Sequence, residues 1–295
     1  MSLFSNINKD TKYYGILGFP LSHTLSPLIH NTLFSEYKQN SVYLVFEKEH
    51  PDKFGFFKER GIIKIYGLSV TIPHKEWAFT ISDECDDTGK LMEAANTLVV
   101  DAEGTILSYN TDGHGAVRSI LEAKKNFLDI SKDVLILGSG GSARGISYAL
   151  LKAGFQNKIV IAARNEEKGK LVVQSLNSYK FQSSEYMSIE NALKEPKRYY
   201  LVINTTPVGM KGKVDPPLVN EDFFQKNHLV FDIVYNPVKT PFVQMAQKVG
   251  SKVIPGYEML LYQAIEQFKL FTGIMPSSRN IKQVRKLLES RLLKT

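Results

Sequence analysis

The 295-residue chain holds a single cysteine, Cys85, which excludes an internal disulfide framework and leaves no companion thiolate for a metal site. It also lacks any apolar run near the roughly 18 residues of a spanning helix, and its opening, "MSLFSNINKDTK", has no apolar signal core. No metal and no membrane partner are expected, and the location is expected to be cytoplasmic. An acidic excess is missing as well: the formal charge is +7, with lysines spread along the whole chain. The densest basic run, "RKLLESRLLKT" at 285–295, has apolar residues at helical spacing and reads as an amphipathic helix with a basic outer face. Nucleic acid is therefore not inferred as a partner. A small anionic substrate or a phosphorylated cofactor uses such charge more economically.

What is present is an ordinary globular composition, 43% hydrophobic and 23% charged, in a chain long enough for two domains. The first half reads as α/β: strand "YYGILG", a helix from Pro27 with Ser26 as its N-cap, strand "SVYLVFE", a helix near "PDKFGFFKE" and strand "IYGLSVTI". Short helical pieces follow, then "NTLVVDAEGTIL", whose Ala-Glu-Gly centre predicts a hairpin. Pro73 removes a ladder donor and should close the third strand, leaving His74 and Lys75 at a strand end, where a rigid element holds side chains open to a cleft. The local pattern does not decide between them. After Asn110-Thr111-Asp112-Gly113 a helical segment leads into the charged stretch "EAKKNFLDISKD", which marks a domain boundary.

The second half opens on "DVLILGSGGSARGISYALLKAGF". Here an apolar strand at 134–137 runs into Gly138-Ser139-Gly140-Gly141-Ser142-Ala143 and then a helix. This is GxGxxA in the strand–turn–helix setting of a dinucleotide site. Gly138 allows the tight turn, Gly140 lets backbone approach a pyrophosphate, and Ala143 permits close packing of a helix whose N-terminal N–H groups favour anions. At the end of the next strand, "KIVIAAR", an NAD site carries an acid for the ribose hydroxyls. This chain has Arg164 there and Lys168 beyond it, cations suited to a 2′-phosphate, so NADP is expected. Further alternation through "YYLVINTT", "LVFDIVY" and "KVIPG" predicts a parallel, doubly wound sheet, with helices "YEMLLYQAIEQFKLF" and "IKQVRKLLESRLL" finishing the chain.

Taken in order, "GFPLSHTLSPLIHN", "LSVTIPHKE", "AANTLV", "YNTDGHG", "LGSGGSARG", "NTTPVGM", "DIVYNPVKTPF" and "GYEMLLYQA" cover nearly all of residues 13–272. In these motifs the chain resembles the shikimate dehydrogenase family, including its quinate/shikimate members. The resemblance implies two α/β domains: a substrate domain of residues 1–111 plus 256–295, and a Rossmann-type NADP-binding domain of residues 112–255. It implies an NADPH-dependent reduction of 3-dehydroshikimate to shikimate, with broader quinate/shikimate specificity or a non-catalytic NADP sensor as alternatives, in a monomer or homodimer.

Motif by motif, the resemblance places the catalytic lysine on Lys75 and its partner on Asp112. Substrate contacts fall on Thr24, Ser26, Thr71, Asn96, Tyr235 and Gln263. These are the hydroxyl and amide groups that a polyhydroxylated ring carboxylate requires. Cofactor contacts fall on Gly138, Ser139, Gly140, Gly141, Ser142, Ala163, Arg164, Lys168, Thr205, Ile233 and Gly256, and also on Asp87. The chain departs from the family pattern in two places. Thr24 stands where serine is usual, bringing a methyl toward the substrate carboxylate, and Ala163 replaces the asparagine before the cofactor arginine, with Lys168 in place of a second arginine.

Overall fold

The computed structural model describes residues 7–51, 64–212 and 215–293. The chain divides into two compact units, one of residues 1–111 with 263–288 and one of residues 112–262 with 289–295. The helix expected near "PDKFGFFKE" lies outside the described residues.

In the first unit, strand β1 (Lys12–Gly18) is followed by helix α1 (Ser26–Glu36), β2 (Ser41–Glu47), β3 (Ile65–Val70), α2 (Lys75–Thr80), the short β4 (Glu84–Cys85), α3 (Asp87–Met92), β5 (Thr97–Val100) and β6 (Ile106–Tyr109). The strands form one sheet in the order β2-β1-β3-β5-β6-β4. The pairs β1/β2 and β1/β3 are parallel, whereas β3/β5 and β5/β6 run antiparallel. β5 and β6 are the expected hairpin, and Gly104 takes the positive φ of 89° its turn requires. Leu17, Leu68, Val70, Leu98 and Ile106 pack into one core with Ala78 and Ala95.

Two boundaries differ from the sequence reading. Helix α1 begins at Ser26 with Leu25 as its N-cap residue and no side-chain cap. Ser26 is drawn one position into the helix because Thr24 Oγ1 takes its N–H at 3.4 Å. Strand β3 stops at Val70 rather than Ile72. Thr71 N still reaches Leu17 O at 2.9 Å and Phe19 N reaches Ile72 O at 3.0 Å, but His74 N turns back to Thr71 O at 2.9 Å, so the regular register ends at Val70.

The second unit begins with α4 (Asp112–Ala123) and continues through β7 (Asp133–Leu137), α5 (Gly141–Lys152), β8 (Ile159–Ala162), α6 (Glu166–Tyr179), β9 (Ser184–Met187), α7 (Ile189–Leu193), β10 (Tyr199–Asn204), β11 (Leu229–Asp232), α8 (Pro241–Lys248) and β12 (Lys252–Ile254). Its strands lie in the order β12-β11-β10-β7-β8-β9, and every pair is parallel. This is the doubly wound arrangement, with the strand order reversing between β7 and β10, where such sheets open a crevice at their C-terminal ends. Leu135, Leu137, Val160, Ala162, Val202 and Val230 are buried because helices cover both faces, which is why these strands read as continuous apolar runs. Helices α9 (Tyr257–Thr272) and α10 (Ser278–Leu292) complete the chain.

Candidate active site

In the first unit, register gathers the polar candidates at one end of the sheet. Ser69 on β3 pairs with Thr97 on β5, and Thr97 with Tyr109 on β6, so Thr71, Asn96 and Thr111 all lie just beyond that end. Lys75 opens α2, half-buried, and its carbonyl accepts from Ala95 N at 2.9 Å, which ties it to the residue before Asn96. The neighbouring His74 is 2% exposed, and its Nε2 lies 2.7 Å from the Lys48 carbonyl. A carbonyl only accepts, so Nε2 carries the proton and His74 anchors this turn to the end of β2.

Asn96 is buried, and a backbone donor fixes its orientation. Thr111 N donates to Asn96 Oδ1 at 2.8 Å, and the Thr97 hydroxyl donates to the same oxygen at 2.8 Å. Its Nδ2 is thereby turned toward Thr111 Oγ1, at 3.0 Å. Ser26 is buried near the start of α1, with Thr24 half-buried beside it. Behind them the His30 and Tyr43 rings stack at 4.3 Å. Burial holds the His30 imidazole down at about 3, with Gln267 acting the other way, so the ring is neutral. Burial likewise pushes the Tyr43 phenol up, opposed by the Ser69 and Ser26 hydroxyls. Gln263 is half-buried on α9.

In the second unit, Gly138 follows β7 with φ of 119°, and a Cβ there would meet Thr205 Oγ1 at 2.6 Å, so only glycine serves. Thr205 braces this turn, donating its hydroxyl to Leu137 O at 2.7 Å. Gly140 and Gly141 differ: a Cβ at either would meet nothing within 4 Å. Nothing in the protein demands small residues there, and the open space lies at the N-terminus of α5, where N–H groups and the helix dipole hold phosphate. Ser139 and Ser142 flank it. Ala163 is buried, with its carbonyl bonded by the Tyr186 hydroxyl at 3.1 Å. Arg164 and Lys168 are exposed about the N-cap residue Asn165 of α6, and among the described residues their side chains make no ion pair. These features fit a dinucleotide with an extra phosphate. Beyond β11, Gly256 packs so closely that a Cβ would meet Val234 O at 2.5 Å and Ile233 O at 2.7 Å. Tyr235 is half-buried, and burial pushes its phenol up.

The structure thus brings Thr24, Ser26, Thr71, Lys75, Asn96 and Gln263 into the first unit, while Asp112 and Tyr235 belong to the second with the glycine turn, Ala163, Arg164, Lys168, Thr205, Ile233 and Gly256. Asp87 is the exposed first residue of α3, in the first unit. Sequence reasoning missed the supporting polar residues. Gln267, Thr97 and Thr111 hold Asn96 in place. Asn204, Asp232 and Thr240 tie together the ends of β10, β11 and the start of α8. Gln267 had one available signal, a glutamine one turn beyond Gln263 in an otherwise apolar helical stripe. No cluster of potential metal ligands occurs among the described residues.

Residues 16–98 match the shikimate dehydrogenase substrate binding domain, and residues 256–289 match the shikimate 5'-dehydrogenase C-terminal domain. The chain is 48% identical over 287 residues to a shikimate dehydrogenase (NADP(+)) of Leptospira interrogans, with 97% of each chain covered. Among solved structures, it superposes with a TM-score of 0.87 and 31% identity on a shikimate dehydrogenase in complex with NADP+, covering 98% of both chains. It also superposes with a TM-score of 0.84 and 28% identity on shikimate 5-dehydrogenase from Listeria monocytogenes in complex with shikimate and NAD, covering 96% of this chain and 98% of that one.

Proposed function

The chain belongs to the shikimate dehydrogenase family, and on that premise we propose that Lys75 and Asp112 are the catalytic pair of an NADP-dependent oxidoreductase interconverting 3-dehydroshikimate and shikimate. The enzyme acts on a CH–OH group with NADP as its cofactor. Residues 1–111 and 256–295 are read as the substrate domain, and residues 112–255 as the cofactor domain.

Bound NADPH supplies the hydride that the ketone carbon accepts. The chain's own residues manage the rest of the chemistry. A proton must reach the carbonyl oxygen as negative charge develops there, and the Lys75 ammonium both stabilises that charge and delivers the proton. Asp112 orients the ammonium and accepts from a ring hydroxyl. Asn96 and Thr71 hold further hydroxyls, Thr24 and Ser26 hold the carboxylate, and Tyr235 and Gln263 complete the contacts. On the cofactor side, the N-terminus of α5 holds the pyrophosphate, with Arg164 and Lys168 on the 2′-phosphate and Thr205, Ile233 and Gly256 shaping the nicotinamide end. Asp87 is a further cofactor contact. A cytoplasmic enzyme, as monomer or homodimer, suits a lone cysteine and a reduced cofactor.

The observation that carries the reading is the gathering of a cation, an amide and hydroxyls at one end of the first sheet, at Lys75, Asn96, Thr71 and Thr111, with Asp112 next in the chain. The test is to offer shikimate and quinate, each with NADP and with NAD, to the purified protein and follow nicotinamide reduction. The highest kcat/KM is expected for shikimate with NADP. Equal use of quinate would shift the reading to broader specificity, and binding of NADP without turnover on either substrate would remove it.

A further inference from the structure

Gln267 has no part in the site proposed above, yet it is 3% exposed and fully engaged in hydrogen bonds. Its Nε2 lies 3.2 Å from Asn96 O. That carbonyl can only accept, so the amide's NH2 end must face it and the oxygen end must face away. Oε1 accordingly accepts from the Ser69 hydroxyl at 2.8 Å. Nε2 also donates to Thr97 Oγ1 at 3.0 Å. With a lone pair of Thr97 used in this way, the single hydroxyl proton goes to Asn96 Oδ1 at 2.8 Å. The relay therefore runs in one direction, from Ser69 on β3 through Gln267 on α9 and Thr97 on β5 to the Asn96 carboxamide oxygen. Thr111 N donates to the same oxygen. Together the two donors send Asn96 Nδ2 toward Thr111 Oγ1, at the sheet end that carries Thr71 and Lys75.

We propose that Gln267 is a positioning residue for the reaction, setting through the Thr97 hydroxyl which face of the Asn96 amide the substrate meets. This rests on the reading of Asn96 as a substrate contact. An apolar replacement of the same length leaves the Thr97 hydroxyl free to rotate, so Asn96 Oδ1 loses a committed donor, while Thr111 N at 2.8 Å and the Thr111 hydroxyl at 3.2 Å still reach it. The neighbouring His30 is neutral and adds no charge to the relay.

The test is a double-mutant cycle on the full chain with Gln267→Met, Asn96→Ala and both together, reading kcat and KM for shikimate and for NADP. Gln267→Met is expected to lower kcat/KM for shikimate about tenfold, mostly through KM, in line with the loss of one hydrogen bond. The KM for NADP should stay unchanged. In the Asn96→Ala background the same substitution should change kcat/KM for shikimate less than about twofold, because its effect passes through Asn96. If Gln267→Met does not fold, Thr97→Val breaks the same relay and takes its place in the cycle, and Thr97→Ser, which keeps the hydroxyl, should restore wild-type KM. Equal losses in both backgrounds, or no loss in the wild-type background, would overturn the inference while leaving Asn96 in the site. Wild-type kinetics in Asn96→Ala would instead remove the site reading, and the inference with it.

Discussion

Asp232 presents the sharpest physical test of the second unit. It has no exposed surface. Its Oδ1 accepts from Asn204 Nδ2 at 3.0 Å and Val234 N at 3.1 Å, and its Oδ2 accepts from the Thr240 hydroxyl at 2.5 Å. Burial dominates these bonds and raises the carboxyl from 3.8 to about 6. A carboxyl raised in the folded state binds its proton more tightly there than in the unfolded chain. Its contribution to stability is therefore complete below about pH 4 and is lost as pH rises through about 6, at about 1.4 kcal/mol per pH unit, or about 3 kcal/mol in all. Asparagine is uncharged like the protonated carboxyl at every pH: Oδ1 keeps both its donors, and one Nδ2–H faces Thr240 Oγ1, where the acid's own proton would lie. The stability of Asp232→Asn relative to the wild-type protein should therefore rise by about 3 kcal/mol between about pH 4 and neutral pH. Urea unfolding of both proteins at a series of pH values between these limits supplies the difference, in which all other titrating groups cancel. A variant that grows weaker relative to wild type as pH rises would show that the three donors outweigh burial, and the reasoning would fail.

Lys75→Met should lower kcat by at least about 100-fold, the lower end for a positioned acid–base group, with a much smaller change in the shikimate KM. His74→Asn should keep the pH profile and most of kcat while losing about 1–2 kcal/mol of stability, because its Nε2–H serves the Lys48 carbonyl. The reverse pattern in these two variants would move the proton to the imidazole. Arg164→Ala should raise the KM for NADP about 10- to 100-fold and leave the KM for NAD nearly unchanged, since a charge-assisted bond is worth about 1.5–3 kcal/mol and only NADP carries the 2′-phosphate. Equal weakening of both cofactors would make that arginine structural.

The sequence by itself determined the elements whose cause is local. Val134 to Leu137 read as a buried parallel strand because an unbroken apolar run suits a sheet covered on both faces. Gly138 to Ala143 read as a phosphate turn because glycine and a following helix produce that geometry within a few residues, and the structure shows Gly138 at positive φ with open space above Gly140. The hairpin at 97–109 was legible from its turn residues, whereas the start of α1 and the stop of β3 slipped, because the Thr24 hydroxyl takes the Ser26 N–H at one end and the His74 N–H turns back to the Thr71 carbonyl at the other. Only tertiary structure decided the rest. His74 and Lys75 are equivalent in the local pattern, and they part only when the fold brings the Lys48 carbonyl against the imidazole. Gln267 and Asn96 lie 171 positions apart, and Asn204 and Asp232 lie 28 apart. Hydrogen bonds of that separation leave no period or spacing in the chain. A buried glutamine and a buried aspartate acquire their roles from what the sheets set opposite them.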